Sequence, residues 1–254
     1  WWRVQWRWCG KELLMSNDVE QLLQTFLTRA DQAGLGNYVA VLYGSHARGH
    51  ALPRRSDVNL LLILDQVDPA RLRALGPAFS EWEAAGQPPP IILSKVDWER
   101  SADAFPLEIA DMALAYRVLR GDNPLASIAV DRADLRRALE RELRGKMLRL
   151  RQAYATFTGK GDRLAELAQG SAGVIQFLFR MLVSVAGEAP PGDAQQAAAS
   201  AGRLAGFDPA ATQTVFAHRG DPNWRCSDED FVGYLHAVEA AARFVDQLQT
   251  GERR

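Results

Sequence analysis

Two hydrophobic rhythms divide the chain. In its first half, short runs of apolar and branched residues, YVAVLYG (38–44), DVNLLLIL (57–64) and IILSK (91–95), have the length and composition of strands. Around them apolar residues recur every three or four positions, the helical period. Asn17 with Glu20 three residues on is a capping-box pattern, and Val19, Leu22, Leu23, Phe26 and Leu27 give the helix that follows one apolar side. The spacing predicts a further helix over 70–86, broken near Gly76-Pro77 and ended by QPPP, and helix over 97–121 with a break before Pro106.

After GDNPL only the helical rhythm remains. Asp131 can cap a long helix whose stripe is Leu135, Leu139, Leu143, Met147, Leu150, Tyr154 and Phe157. The segment 164–187 is apolar around most of its circumference, which suits the centre of a bundle. Further helices are expected at 193–205, after Asp208-Pro209, and from 228 to 249 with Ser227 and Asp230 as a cap pair. The expected class is α+β: a small mixed sheet flanked by helices over 15–125, then an all-helical bundle over 126–254.

The start of the chain departs from both rhythms. WWRVQWRWCG crowds four tryptophans among arginines, lacks the apolar core of a signal peptide, and reads as a non-native or disordered leader over 1–14, with Met15 opening the domain. Formal net charge is −1, so no global field draws the chain to nucleic acid or to an anionic membrane. Cys9 and Cys226 stand far apart without metal-ligand spacing, which argues against a zinc site or a disulfide framework and fits the cytoplasm.

The chemistry concentrates in LYGSHARGHALPRRSDVNLLLIL (42–64). Gly44 lets the chain turn sharply after the first strand. A helix starting near Ser45 would turn its N–H groups and the Ser45 hydroxyl toward a phosphate, with Arg48 able to clamp a phosphate oxygen from the same turn. Asp57 opens the next strand, and strand alternation points residues 57 and 59 to one face while Val58 and Leu60 enter the core. Two carboxylates at 57 and 59 would hold magnesium together with nucleotide phosphates, but position 59 is Asn59.

Gly-Ser, a loop, then Ser-Asp-Val-Asn-Leu-Leu resembles the motif of the nucleotidyltransferase superfamily, in particular its small bacterial members that include aminoglycoside-modifying enzymes. The resemblance covers residues 36–65 and extends more loosely to 105–125 and the helical half. It implies that Gly44 and Ser45 hold a nucleoside triphosphate and that Asp57 is the first magnesium ligand, with Asn59 at the second ligand position. The superfamily's third carboxylate, expected within IILSK, has no counterpart there. By the same resemblance the helical half would recognise the acceptor, a small molecule or a protein.

Other residues have a plainer reading beside the functional one. Glu108 is a fallback base or a solvated helix carboxylate; His46 and His50 flank the turn as nucleotide contacts or as loop histidines. Arg180 would reach toward the site or snorkel to the bundle edge, and the basic run 136–151 reads as a solvated helix face before an RNA surface. Asp228, Glu229 and Asp230 could favour a cationic acceptor if they lay near it. Three function classes follow: a transferase moving a nucleoside monophosphate from a triphosphate to a hydroxyl, a nucleotide- or partner-binding pseudoenzyme, and a toxin–antitoxin component. For the last, no histidine follows an arginine at the four-to-six-residue spacing of a helical ribonuclease.

Overall fold

The computed structural model describes residues 16–49 and 57–248, without the side chains of residues 16 and 17. The leader, Met15, the Asn17 side chain expected as a cap and His50 lie outside what is described. The chain divides into two compact units, Trp1–Ala129 and Val130–Arg254.

In the first unit α1 (Ser16–Gln32) leads to β1 (Tyr38–Tyr43) and β2 (Asn59–Leu64), then α2 (Pro69–Ala74), α3 (Gly76–Ala84) and β3 (Ile91–Ser94). Next come α4 (Lys95–Glu99), α5 (Ser101–Ala104), α6 (Pro106–Leu114) and β4 (Tyr116–Arg120). The strands form a mixed sheet in the order β3-β2-β1-β4. β1 runs antiparallel to both neighbours, whereas β3 runs parallel to β2. Every residue from Leu60 to Leu64 is buried, so both faces of β2 are covered and its apolar run is continuous rather than alternating.

Val19, Leu23, Phe26 and Ala30 repeat at spacings of four, three and four along α1 and join the core above β1 and β2. Phe26 meets Phe79 and Trp82 of α3 edge-on, with ring centroids 5.7 and 5.2 Å apart. Trp82 Nε1 donates to Pro88 O at 2.7 Å, which ties the proline run to the core before β3 begins.

Two sequence expectations change. The segment 97–121 is not helical throughout: Ala115 is extended, and Tyr116–Arg120 forms β4 on the edge of the sheet against β1. A half-buried edge strand following a helix without a breaker has little local signature, and pairing decides it. The second change is at Ser45, where the chain makes one hydrogen-bonded turn instead of a helix, Arg48 N–H donating to Gly44 O at 3.1 Å.

The second unit contains α7 (Arg132–Phe157), α8 (Gly161–Val185), α9 (Ala194–Ala205), α10 (Ala210–Ala217) and α11 (Asp228–Gln247). Asp131 caps α7 by accepting from Ala133 and Asp134 N–H at 2.8 and 3.1 Å. Ser227 caps α11, its hydroxyl accepting from Asp230 N–H at 3.0 Å. α8 is long and apolar enough by composition to cross a membrane, yet 61% of its apolar window is buried and it packs on α7, α9, α10 and α11, as the core helix of a bundle does. Arg180 is buried within it at 5% exposure rather than reaching the bundle edge.

Much of the basic run on α7 is matched by acids: Arg136 and Arg144 pair with Glu140, Arg144 also with Asp246, and Arg151 with Glu239. Cys226, just before α11, is 1% exposed, and its N–H donates to Gly161 O at 3.1 Å. Burial, then the charges of Asp230 and Asp228, push its thiol up to about 12.

Candidate functional site

β1 and β2 set the floor of the site. Their register pairs Tyr43 with Asn59, and β4 places Tyr116 on the other side of Tyr43. The chain leaves β1 through Gly44 at φ +84°, a conformation that side chains rarely adopt. Gly44 N–H donates to Ala115 O at 3.3 Å, fastening the turn to the segment before β4.

Absence of a side chain at Gly44 has a second consequence. A Cβ there would lie 2.8 Å from Asn59 Nδ2, so the Asn59 amide occupies the space that a residue larger than glycine would fill. With the amide assigned in this orientation, its nitrogen faces the turn. Gly44 and Asn59, fifteen positions apart in sequence, thus meet at one end of the sheet.

Asp57 lies two residues before β2 rather than within it, and is exposed, while Val58 is buried at 1% and Asn59 is half-buried. The in–out alternation expected of 57 to 60 therefore holds although the strand starts later. Gln87 Oε1 accepts from Val58 N–H at 2.9 Å and satisfies the backbone of this lead-in.

Arg48, the expected clamp, makes an ion pair within the protein. Its Nη1 lies 3.3 Å from Asp111 Oδ1 on α6, with the two side chains only 13% and 4% exposed. A buried guanidinium–carboxylate pair ties the turn after β1 to α6, and breaking such a pair is costly. Asp111 was not among the expected site residues. The available signal was a carboxylate four residues after Leu107, on the apolar side of α6 with Ile109 and Met112. Glu108 sits on the same helix, half-buried, one turn before Asp111.

β3 pairs Ile91 with Leu61 in parallel, so extending that register two residues ahead of the strand brings Pro89 of QPPP to the level of Asn59, and IILS runs on toward the opposite end of the sheet without a carboxylate. Among the described residues no three His, Cys, Asp or Glu side chains come together as metal donors. One exposed carboxylate and one neutral amide do not fit a two-ion magnesium centre, which needs several oxygen ligands per ion.

No family model matches the chain, and no curated protein does. Among solved structures the fold is similar to that of spectinomycin adenyltransferase AAD(9) from Enterococcus faecialis, determined with ATP and spectinomycin. The TM-score is 0.54 at 10% identity, over 90% of this chain and 99% of that one. The chain has a nucleotidyltransferase-type fold, a mixed four-stranded sheet with flanking helices followed by a helical region, as the 42–64 motif led one to expect.

Proposed function

We propose that the chain is a cytoplasmic nucleoside-triphosphate-binding protein of nucleotidyltransferase type, with phosphates received at Gly44 and Ser45 beside Asp57 and Asn59. The observation that carries this reading is the junction of Gly44 with Asn59 at the end of β1 and β2, in a fold similar to that of an adenyltransferase solved with ATP. The reaction is transfer of a nucleoside monophosphate: an acceptor hydroxyl forms a bond to the α-phosphorus, the bond to the β-phosphate bridge breaks, pyrophosphate leaves and the hydroxyl proton passes to water. The acceptor is a small molecule or a protein. Magnesium follows from the resemblance only, and no step is assigned to it because the described donors do not fit a two-ion centre.

A second reading, nucleotide binding without transfer, is favoured by Asn59 and by the lack of a carboxylate in IILS. Both readings require binding. Titration calorimetry with the four common nucleoside triphosphates should give heat with at least one, and Ser45→Ala should weaken that affinity by about 1–3 kcal/mol, the range for a hydrogen bond to a charged group. No heat with any triphosphate overturns both readings. Pyrophosphate release across a panel of hydroxyl acceptors then separates transfer from binding alone.

A further inference from the structure

A carboxylate at position 59 would repel a phosphate seated on the neighbouring turn unless a cation stood between them. Asn59 removes that repulsion and offers a donor, and its Nδ2 is the atom that faces the Gly44 turn. Extending the β2–β3 register two residues ahead of β3 brings Pro89, which carries no charge, to the level of Asn59.

We infer that Asn59 is a phosphate-binding residue that donates from Nδ2 to a nucleoside triphosphate seated on the Gly44–Ser45 turn, and that this contact holds the nucleotide without requiring magnesium. The inference rests on the nucleotide reading above. Gly44 has a defined part in it: with no Cβ at 44, the amide reaches the turn. The neutral amide removes the excess negative charge that calls for a divalent cation beside two carboxylates.

The test is calorimetric titration of the full chain with whichever common nucleoside triphosphate binds best, once in EDTA and once in excess magnesium chloride, repeated with Asn59→Asp. The wild type should show dissociation constants within threefold in the two media. Asn59→Asp should bind at least tenfold more weakly in EDTA and recover in magnesium. A wild-type affinity that falls tenfold or more in EDTA would overturn the inference and leave the nucleotide reading standing. So would an Asn59→Asp variant that binds in EDTA as tightly as the wild type. No binding by the wild type in either medium would overturn the nucleotide reading itself.

Discussion

The two ends of the sheet are built on opposite plans. At the end formed by Tyr38, Leu64 and Ser94, polar groups are matched within the protein. Tyr38 OH donates to Asp31 at 2.7 Å, Arg120 pairs with Asp31 at 2.9 Å while its guanidinium lies over the Tyr38 ring, and Lys95 pairs with Asp65 at 2.5 Å. At the Tyr43 end stand an exposed carboxylate, Asp57, a half-buried hydroxyl, Ser45, and the Asn59 amide beside a glycine. Each end has a glycine in the left-handed region, but they make room for different things. A Cβ on Gly121 would lie 2.9 Å from the backbone oxygen of Tyr38, whereas one on Gly44 would meet the movable tip of Asn59. One end is closed by backbone packing; the other keeps its close contact in a side chain that can turn.

The largest effect should come from the buried ion pair at the Tyr43 end. Arg48→Met removes the guanidinium from Asp111, and urea unfolding should show a loss of about 3–5 kcal/mol. Arg48→Met with Asp111→Leu should recover most of it, since an apolar pair leaves no buried charge; failure to recover would mean that the pair is not what holds the turn to α6.

Next, Gly121→Ala should cost about 2–4 kcal/mol, from the left-handed backbone and from overlap with Tyr38 O and Val39 that only a sheet shift relieves. Gly44→Ala should cost about 1–2 kcal/mol, for the backbone conformation alone, because the Asn59 amide can swing aside. Nucleotide affinity should respond in the reverse order, falling with Gly44→Ala and staying level with Gly121→Ala. Equal losses of stability would erase the contrast between the two ends.

The smallest effect is alkaline. Burial first, then the hydrogen bond to Asp31 and its charge, hold the Tyr38 phenol well above its ordinary value near 10. The fold therefore favours the protonated phenol. Its contribution is complete below the unfolded value near 10 and is lost as pH rises beyond it. Tyr38→Phe should cost about 1 kcal/mol at neutral pH and flatten part of the decline in stability above pH 10. An unchanged alkaline slope would show that the closed end does not depend on this proton.

What the sequence disclosed and what it hid follow from the range of the interactions involved. β1, β2 and β3 were legible because each is an apolar run bounded by turn residues, and the long helices because their stripes and caps are local. β4 was hidden because Tyr116–Arg120 owes its conformation to pairing with β1. At the site, Gly44, Ser45, Asp57 and Asn59 stood out from spacing within one short segment. The partnership of Arg48 with Asp111 spans 63 positions, and no local pattern announces it. Likewise the level of Pro89 follows from the β2–β3 register, which a single strand read alone does not contain.

Cys226 carries one more consequence, this time for kinetics. Thiol reagents attack the thiolate, and this sulfur is both enclosed and held in its protonated form, so the native bundle is silent to them. With Cys9 replaced by serine a single thiol remains in the chain. Labelling at neutral pH then advances only through molecules whose α8–α11 region has come apart far enough to admit the reagent and solvent. At high reagent concentration its rate becomes a clock for opening of the helical unit.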